Sequence, residues 1–393
     1  MEDEIRVEMG WIITFWISAI VLFYIYIGYP IVILFLSKLV PKPYKKFSND
    51  ELKIESLLPN ISLLIPAYNE EKVIEKKIRN VLSLDYPQNK IEIVVASDGS
   101  SDRTVENAEL YRDKIKLYAF KEREGKTGLL NKIVPKLSGD IIVFSDASAI
   151  LRTDALKKLI APFKDKGIGS VSGLYLLQDI ASTSRAQGEG FYWHYETLLK
   201  THESQFYSIL GAHGALYALR KYLFRTLPAD AINDDYILPM YGVEKNKRGI
   251  YQPEAVAIEE VSATVGGEMK RRIRISVGNF QQLFLLKKLL NPFRGRIAFE
   301  FISHKLLRSF SFLFMISLLV SNICIPKLGF RVFLFLQLLF YLLGWLGYKI
   351  SRNMKTSVIL TAPFYITMIN YASLIGFVKY IFNTQKVTWE KAA

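Results

Sequence analysis

The sequence predicts an α/β domain, a sheet covered by helices, carried between apolar helices at its two ends. Three observations predict it. Half of the 393 residues are apolar and the mean hydropathy is positive, which is high for a chain that is soluble throughout. Uncharged or nearly uncharged apolar stretches lie near both ends. Between them, short apolar runs that each stop at a polar turn alternate with helix-period patterns, as in β-α-β units.

The first element, Trp11 to Leu36, carries no charge and at about 1.5 Å per residue can cross a hydrocarbon core of roughly 30 Å. It is too long for a signal-peptide core, has no basic leader and is followed by no small-residue cleavage site, so it reads as a retained helix at 11–36. The middle domain is expected over 48–296. Ile61–Ile65 is its first strand, ending at Pro66-Ala67-Tyr68-Asn69-Glu70-Glu71. A helix follows, with Val73, Ile74, Ile78, Val81 and Leu82 on its apolar stripe. Ile91–Ala96 is the next strand, and Ser97-Asp98-Gly99-Ser100-Ser101-Asp102 can cap a helix starting near Arg103. Ile115–Phe120 is a third strand. Ile141–Ser145 is a fourth, stopping at Asp146-Ala147-Ser148. This alternation predicts a parallel sheet. Spans over Leu306–Ile325, Phe330–Tyr348 and Val358–Phe382 complete the chain, about three helices within 306–382.

The lysines and arginines near the span ends orient the chain. Lys38, Lys42, Lys45 and Lys46 follow the first span. Lys305 and Arg308 precede the second, and Lys349, Arg352 and Lys355 separate the last two. All three groups belong inside, which puts the middle domain in the cytosol and both termini outside. Lys327 and Arg331 dissent. The net charge of +14 fits nucleic acid, an anionic membrane surface or phosphorylated substrates. Its position near the spans, at Lys270, Arg271, Arg272 and Arg274 and again at Lys287, Lys288, Arg294 and Arg296, points to anionic headgroups and away from nucleic acid. A solvated basic face is the alternative. The single cysteine, Cys324, falls within a span, so neither a disulfide nor a cysteine metal site is available.

Ligands of open parallel sheets gather at the carboxyl ends of the strands, where loops and helix N-termini converge. Asp98 and Asp146 both fall at such ends. Either alone reads equally well as a helix cap; together with Pro66-Ala67-Tyr68-Asn69-Glu70 they favour a nucleotide crevice.

As an ordered set, Ile65-Pro66-Ala67-Tyr68-Asn69-Glu70-Glu71, Leu84-Asp85-Tyr86-Pro87 and Ser97-Asp98-Gly99-Ser100-Ser101-Asp102 resemble glycosyltransferase family 2. The resemblance is to the membrane branch that includes cellulose, hyaluronan, chitin and poly-N-acetylglucosamine synthases, and it covers Asn60 to about Arg308. It implies a GT-A type open mixed sheet with helices on both faces. It also implies that Asp98, with Gly99 beside it, contacts the base or ribose of a nucleotide-sugar, and that Pro66, Ala67, Tyr68, Asn69 and Glu70 close around the nucleoside. Gly125-Lys126 resembles the family's Gly-Lys-x-x-x-Leu-Asn element near the diphosphate, which gives Lys126 phosphate charge to offset. Asp146-Ala147-Ser148 takes the place of Asp-x-Asp, whose carboxylates hold a divalent cation, Mg²⁺ or Mn²⁺. Here a serine replaces the second carboxylate, and Asp146 alone is left as the metal ligand.

Asn233-Asp234-Asp235-Tyr236-Ile237-Leu238 matches Thr-Glu-Asp-x-x-Leu, which makes Asp235 the catalytic base of an inverting transfer and leaves Asp234 as a helix cap. The aromatic run from Gly188 to Glu196 lines an acceptor path or lies at the membrane interface. Gly211-Ala212-His213-Gly214-Ala215 resembles the acceptor loop that precedes Arg220, and His213 is given no chemistry. At the Gln-x-x-Arg-Trp motif, Arg271 replaces the glutamine, Arg274 keeps the arginine beside the departing diphosphate, and Ile275 replaces the tryptophan platform of processive relatives. The expected function is transfer from a UDP- or similar sugar to a glycan or lipid-linked acceptor in exopolysaccharide or cell-envelope assembly, in a plasma membrane, with an oligomer or other assembly proteins as partners. A processive synthase is the alternative product class. A non-catalytic nucleotide-sugar-binding scaffold is the alternative of another kind.

Overall fold

The structure is a computed structural model that describes residues 2–178, 184–260, 265–351 and 358–385. Eight strands form one sheet: β1 Ile61–Ala67, β2 Ile91–Asp98, β3 Lys116–Phe120, β4 Ile141–Phe144, β5 Ile150–Leu151, β6 Ile168–Gln178, β7 Tyr217–Arg220 and β8 Arg248–Glu260. Their order is β3-β2-β1-β4-β7-β6-β8-β5. β3, β2, β1 and β4 run parallel, as their short apolar sequences predict. β7 is antiparallel to both β4 and β6, and β5 is antiparallel to β8, so the sheet is mixed. Moving along the chain, β2 and β3 add on one side of β1 and β4 adds on the other. That reversal opens a crevice beyond the carboxyl ends of β1 and β4.

The helices are α1 Glu2–Phe23, α2 Tyr29–Leu39, α3 Ile74–Leu82, α4 Thr104–Glu109, α5 Gly125–Ile133, α6 Ala155–Ile160 and α7 Ser184–Phe206. Then come α8 Asp234–Glu244, α9 Val265–Leu285, α10 Arg296–Glu300, α11 Leu307–Ser309, α12 Ser311–Cys324, α13 Leu328–Ser351 and α14 Val358–Ile381. Strand alternation sends Leu63, Ile65, Ile93, Val95 and Val143 to one face, under Ile74, Ile78 and Val81 of α3 and Leu156, Leu159 and Ile160 of α6. Leu64, Val94, Ala96, Ile142 and Phe144 face the other way, against Leu129, Leu130 and Ile133 of α5, Ile237 of α8 and Phe280 of α9. Each fully buried aliphatic contributes about 1.5–3 kcal/mol relative to exposure. The two-faced pattern thus fixes which loops reach the crevice.

The N-terminal apolar helix is longer than 11–36: α1 and α2 join through a π-helical turn at Tyr24–Gly28 into one apolar element over Asp3–Leu39. α13 and α14 are likewise long and apolar enough to cross a membrane, by length and composition. The expected span over Leu306–Ile325 contains a break. Arg296–Ser309 and Ser311–Cys324 meet at a bend of 56°, and the straight part, α12, is 14 residues long, about 21 Å at the helical rise.

Polar side chains are paired just before the bend. His304 Nδ1 lies 2.5 Å from Glu203 Oε1, which also accepts a hydrogen bond from the Tyr29 hydroxyl at 2.8 Å. Arg308 pairs with Glu196 at 2.6 Å. Glu196 and Glu203 belong to α7, so the turn before α12 is tied to α7 and to α2 by one buried charged knot. Removing one partner of such a pair typically costs about 3–5 kcal/mol. Within α7, the side chains of Gly188–Trp193 in the aromatic run fall outside the described residues, as do Arg352 and Lys355 between α13 and α14.

Candidate active site

The turn after β1 is locked by its neighbour. Asn69 adopts φ 54°, a left-handed conformation that asparagine tolerates better than most residues. Its backbone N–H donates to Ser100 Oγ at 3.1 Å, and its side-chain oxygen accepts from Ser101 N at 2.8 Å. Glu70 N donates to Thr104 Oγ1 at 2.7 Å and Glu71 N to Asp102 Oδ2 at 3.1 Å. Pro66, Ala67 and Tyr68 are thereby held at the rim, with the Arg123 guanidinium 3.6 Å from the Tyr68 ring centroid. Arg123 gave no signal in the sequence, because one arginine in a charged loop looks solvated.

Asp98 ends β2 and is buried. Its two oxygens accept from the backbone N–H groups of Glu124 and Gly125, each at 2.8 Å, so it holds the start of α5, the next helix but one, where anionic charge is favoured. Within the segment expected to cap α4, Asp102 is the residue that accepts from Thr104 N, at 3.0 Å. Gly99 has φ +68°, and a Cβ there would meet Arg123 N at 2.8 Å. These two loops lie too close for any other residue.

By fixing α5, Asp98 fixes Lys126. The Lys126 ammonium is 3.0 Å from Asp146 Oδ1 and 3.5 Å from Asp234 Oδ2. Asp146 comes from the loop after β4, and Asp234 and Asp235 from the first turn of α8, whose N-cap is Asn233. The expectation that Asp234 caps a helix is corrected here. Its side chain faces inward to Lys126, with the Tyr217 hydroxyl 3.5 Å away. Gly214 closes the group: a Cβ on it would sit 3.1 Å from Asp146 Oδ2 and 3.3 Å from Asp235 Oδ2. Asp146 and Asp235 therefore present carboxylate oxygens to one small space.

Charge in this space is unevenly balanced. Burial would depress the Lys126 ammonium, but Asp146, Asp234 and Asp235 outweigh it and hold its pKa well above the usual lysine value. Burial would raise Asp146, and Lys126 more than reverses this, so its pKa is lowered. Asp235 is pushed up to about 6, by burial first and then by the adjacent Asp234. A carboxylate raised toward the working pH is what a general base requires. Arg274 on α9 lies in the electrostatic field of all three aspartates, although burial and Arg271 lower its pKa.

α9 is docked through Asn233, whose side-chain nitrogen donates to Ile275 O at 3.1 Å. A Cβ on Gly278 would come within 2.5 Å of that nitrogen. At position 275, where a stacking platform is absent, the chain thus contributes a backbone carbonyl to the packing of α8 on α9. Arg220 lies outside this constellation and donates to the carbonyls of Ile168, Phe163 and Asp165.

The structure therefore gathers Lys126, Asp146 and Asp235, adds Asp234 to them, and places Arg274 within their field. Asp98 stands one step back, acting through α5. Sequence reasoning missed the inward role of Asp234, the Arg123 cover over Tyr68, and Lys200, which is buried and donates to Gly211 O at 2.7 Å. Burial lowers the Lys200 pKa to about 8. Among the described residues no three histidine, cysteine, aspartate or glutamate side chains converge as a ready-made metal cage. The donor set nonetheless suits a hard cation of the Mg²⁺ kind, which takes one or two carboxylates and fills its other positions with phosphate oxygens and water. Asp146 Oδ2, turned toward the space beside Gly214, is the donor it would meet.

Residues 62–227 match the Glycosyl transferase family 2 model; Asp235 and Arg274 lie beyond the match. Over 136 residues the chain is 35% identical to a beta-monoglucosyldiacylglycerol synthase of Trichormus variabilis, covering 33% of this chain and 28% of that protein. It is 28% identical over 236 residues to a poly-beta-1,6-N-acetyl-D-glucosamine synthase of Staphylococcus epidermidis, covering 57% and 55%. The chain thus spans less than two thirds of the length of either relative. A mannosyltransferase of Pyrobaculum calidifontis, solved with GDP-mannose and Mn²⁺, superposes with a TM-score of 0.69 at 21% identity, covering 94% of this chain and 99% of that one, which speaks for a shared fold. Residues 62–227 thus match a glycosyl transferase family 2 domain, set in a mixed sheet whose fold is shared with that mannosyltransferase and followed by apolar helices.

Proposed function

We propose that the chain is a membrane-embedded inverting glycosyltransferase, with its catalytic domain on the cytosolic face of a plasma membrane. It takes a sugar from a nucleotide-sugar, a UDP-sugar first among candidates, and passes it to a hydroxyl of a glycan or lipid-linked acceptor. The observation that carries the reading is the meeting of Lys126, Asp146 and Asp235 beside Gly214 at the switch point of the sheet.

In this reading the nucleoside lies against the Pro66–Glu70 turn, under Tyr68 and Arg123, and the diphosphate extends toward Lys126. Asp235 takes the proton from the acceptor hydroxyl while that oxygen bonds to the anomeric carbon. The carbon–oxygen bond to the diphosphate breaks on the opposite face, and its electron pair leaves with the nucleoside diphosphate. Lys126 and Arg274 offset the charge that develops there. A divalent cation, Mg²⁺ or Mn²⁺, held by Asp146 would supply further neutralisation of the diphosphate. Ile275 offers no flat face on which an acceptor sugar stacks, which favours addition of one or a few sugars over long-chain synthesis.

The test is a panel of nucleotide-sugars offered to the detergent-solubilised chain with glycan and lipid-linked acceptors. Released nucleoside diphosphate and the anomeric configuration of the product are the readouts. Inversion with metal-dependent release is expected. A retained configuration, or binding without release from every donor and acceptor, would falsify the reading, the latter in favour of a non-catalytic binding subunit.

A further inference from the structure

Ser148 leaves the loop after β4 with one carboxylate where two stand in the related pattern. The sheet brings another carboxylate to the same loop. β5 pairs antiparallel with β8, Ile150 opposite Ile258 and Leu151 opposite Ala257, so the residues just before β5 lie against the end of β8. There the Ser148 hydroxyl donates to Glu259 Oε1, across 111 positions of sequence.

The loop is gripped from below as well. Lys77 is fully buried at 0% exposure, on the apolar stripe of α3. Its ammonium donates to Ser145 Oγ at 2.7 Å and Ala149 O at 2.5 Å, which ties the two ends of the Asp146–Ser148 turn together. Asp146 opens this turn and Ser148, bonded to Glu259, closes it, so the two carboxylates flank one three-residue segment.

Charge favours a role for Glu259 beyond holding a serine. Asp146 gives one oxygen to Lys126 at 3.0 Å, an ammonium it shares with Asp234, so part of its charge is already answered on that side. A second carboxylate beside the serine hydroxyl adds a negative charge on the other side and completes a hard oxygen donor set.

We propose that Glu259 supplies the second protein carboxylate for a divalent cation shared with Asp146, with the Ser148 hydroxyl between them. The inference rests on the nucleotide-sugar reading above and goes further, by assigning to β8 what the neighbouring turn lacks. If Glu259 instead only braces the turn, it acts through Ser148, and losing either partner of that hydrogen bond has the same effect.

The experiment measures Mn²⁺ binding to the full-length protein in detergent, from the electron paramagnetic resonance signal of free Mn²⁺, with saturating UDP and separately with GDP. Glu259→Gln keeps an acceptor for Ser148 and removes the charge; it is expected to weaken nucleotide-dependent Mn²⁺ binding about tenfold or more, while Ser148→Ala weakens it less. Adding Ser148→Asp to the Glu259→Gln variant is expected to recover the affinity. Matching thermal unfolding profiles establish that all variants are folded. Wild-type affinity in Glu259→Gln, or an equal loss in Ser148→Ala, overturns the proposal. Absence of nucleotide-dependent Mn²⁺ binding in the wild type with both nucleotides overturns it too. The underlying reading is then judged separately, by whether the wild type still releases nucleoside diphosphate from a donor sugar.

Discussion

The two walls of the crevice are held by opposite physics. On the β1–β2 side, polar groups are paired through the backbone: Asp98 accepts from two amides, Asp102 from two more, and Glu70 N donates to Thr104 Oγ1. On the β4–α8 side, three aspartates crowd one lysine. The first wall is electrostatically at rest and contributes rigidity. The second is buried and sets Asp234 beside Asp235; burial first and this repulsion second raise the Asp235 pKa, which on the proposed reading suits it to take a proton. Substitutions should therefore damage stability on one side and chemistry on the other.

The largest effect is expected at Asp235. Asp235→Asn should lower kcat by about 10²–10⁴-fold while leaving nucleotide affinity close to wild type and thermal stability undiminished. Steady-state kinetics beside a binding titration check this, and an unaffected kcat removes Asp235 from the mechanism. Asp98→Ala should do the reverse. It strips two charge-assisted hydrogen bonds from the start of α5, and unfolding free energy should fall by about 2–3 kcal/mol. Donor affinity falls with it, through Lys126. Denaturant unfolding with unchanged stability would erase the contrast between the walls.

The pH dependence sharpens the same contrast. The base form of Asp235 is the ionised one, so kcat/KM should be maximal above its pKa of about 6 and fall about tenfold per unit below it. Stability moves the opposite way. A carboxyl whose folded pKa is raised favours the fold when protonated, so this contribution is present below the ordinary value of about 3.9 and is lost as pH rises through 6. Asp235→Asn should flatten that part of the stability profile. The smallest effect is expected at Gly214→Ala, where a Cβ 3.1 Å from Asp146 Oδ2 and 3.3 Å from Asp235 Oδ2 must displace both by a few tenths of an ångström. Turnover should drop with little change in melting temperature, and an unaltered turnover would show that the space beside Gly214 is not where reaction occurs.

The resting wall was legible in the sequence because it is local. Short apolar runs, a proline-asparagine turn and an aspartate-glycine turn each carry their own signal within ten residues, and β1 to β4 fall within a residue or two of where those signals place them. The tense wall was legible only in part. Asp235 stood out through resemblance, but Asp234 reads locally as a helix cap, and nothing nearby in sequence says that Lys126 will face it across the sheet. Glu259 and Lys77 were invisible for the same reason. The pairing of β8 with β5 decides where Glu259 points, and Lys77 looks like a surface lysine until α3 is laid on the sheet with Ile74 and Ile78 beneath it.

The charged knot of Tyr29, Glu196, Glu203, His304 and Arg308 has a mechanical consequence. It pins the anchor helices and the enzyme's floor as one piece, so on the membrane reading the catalytic carboxylate stands at a set height above the hydrocarbon. An acceptor anchored in lipid is then chosen by how far its hydroxyl protrudes, and stalk length becomes a selector alongside chemical identity.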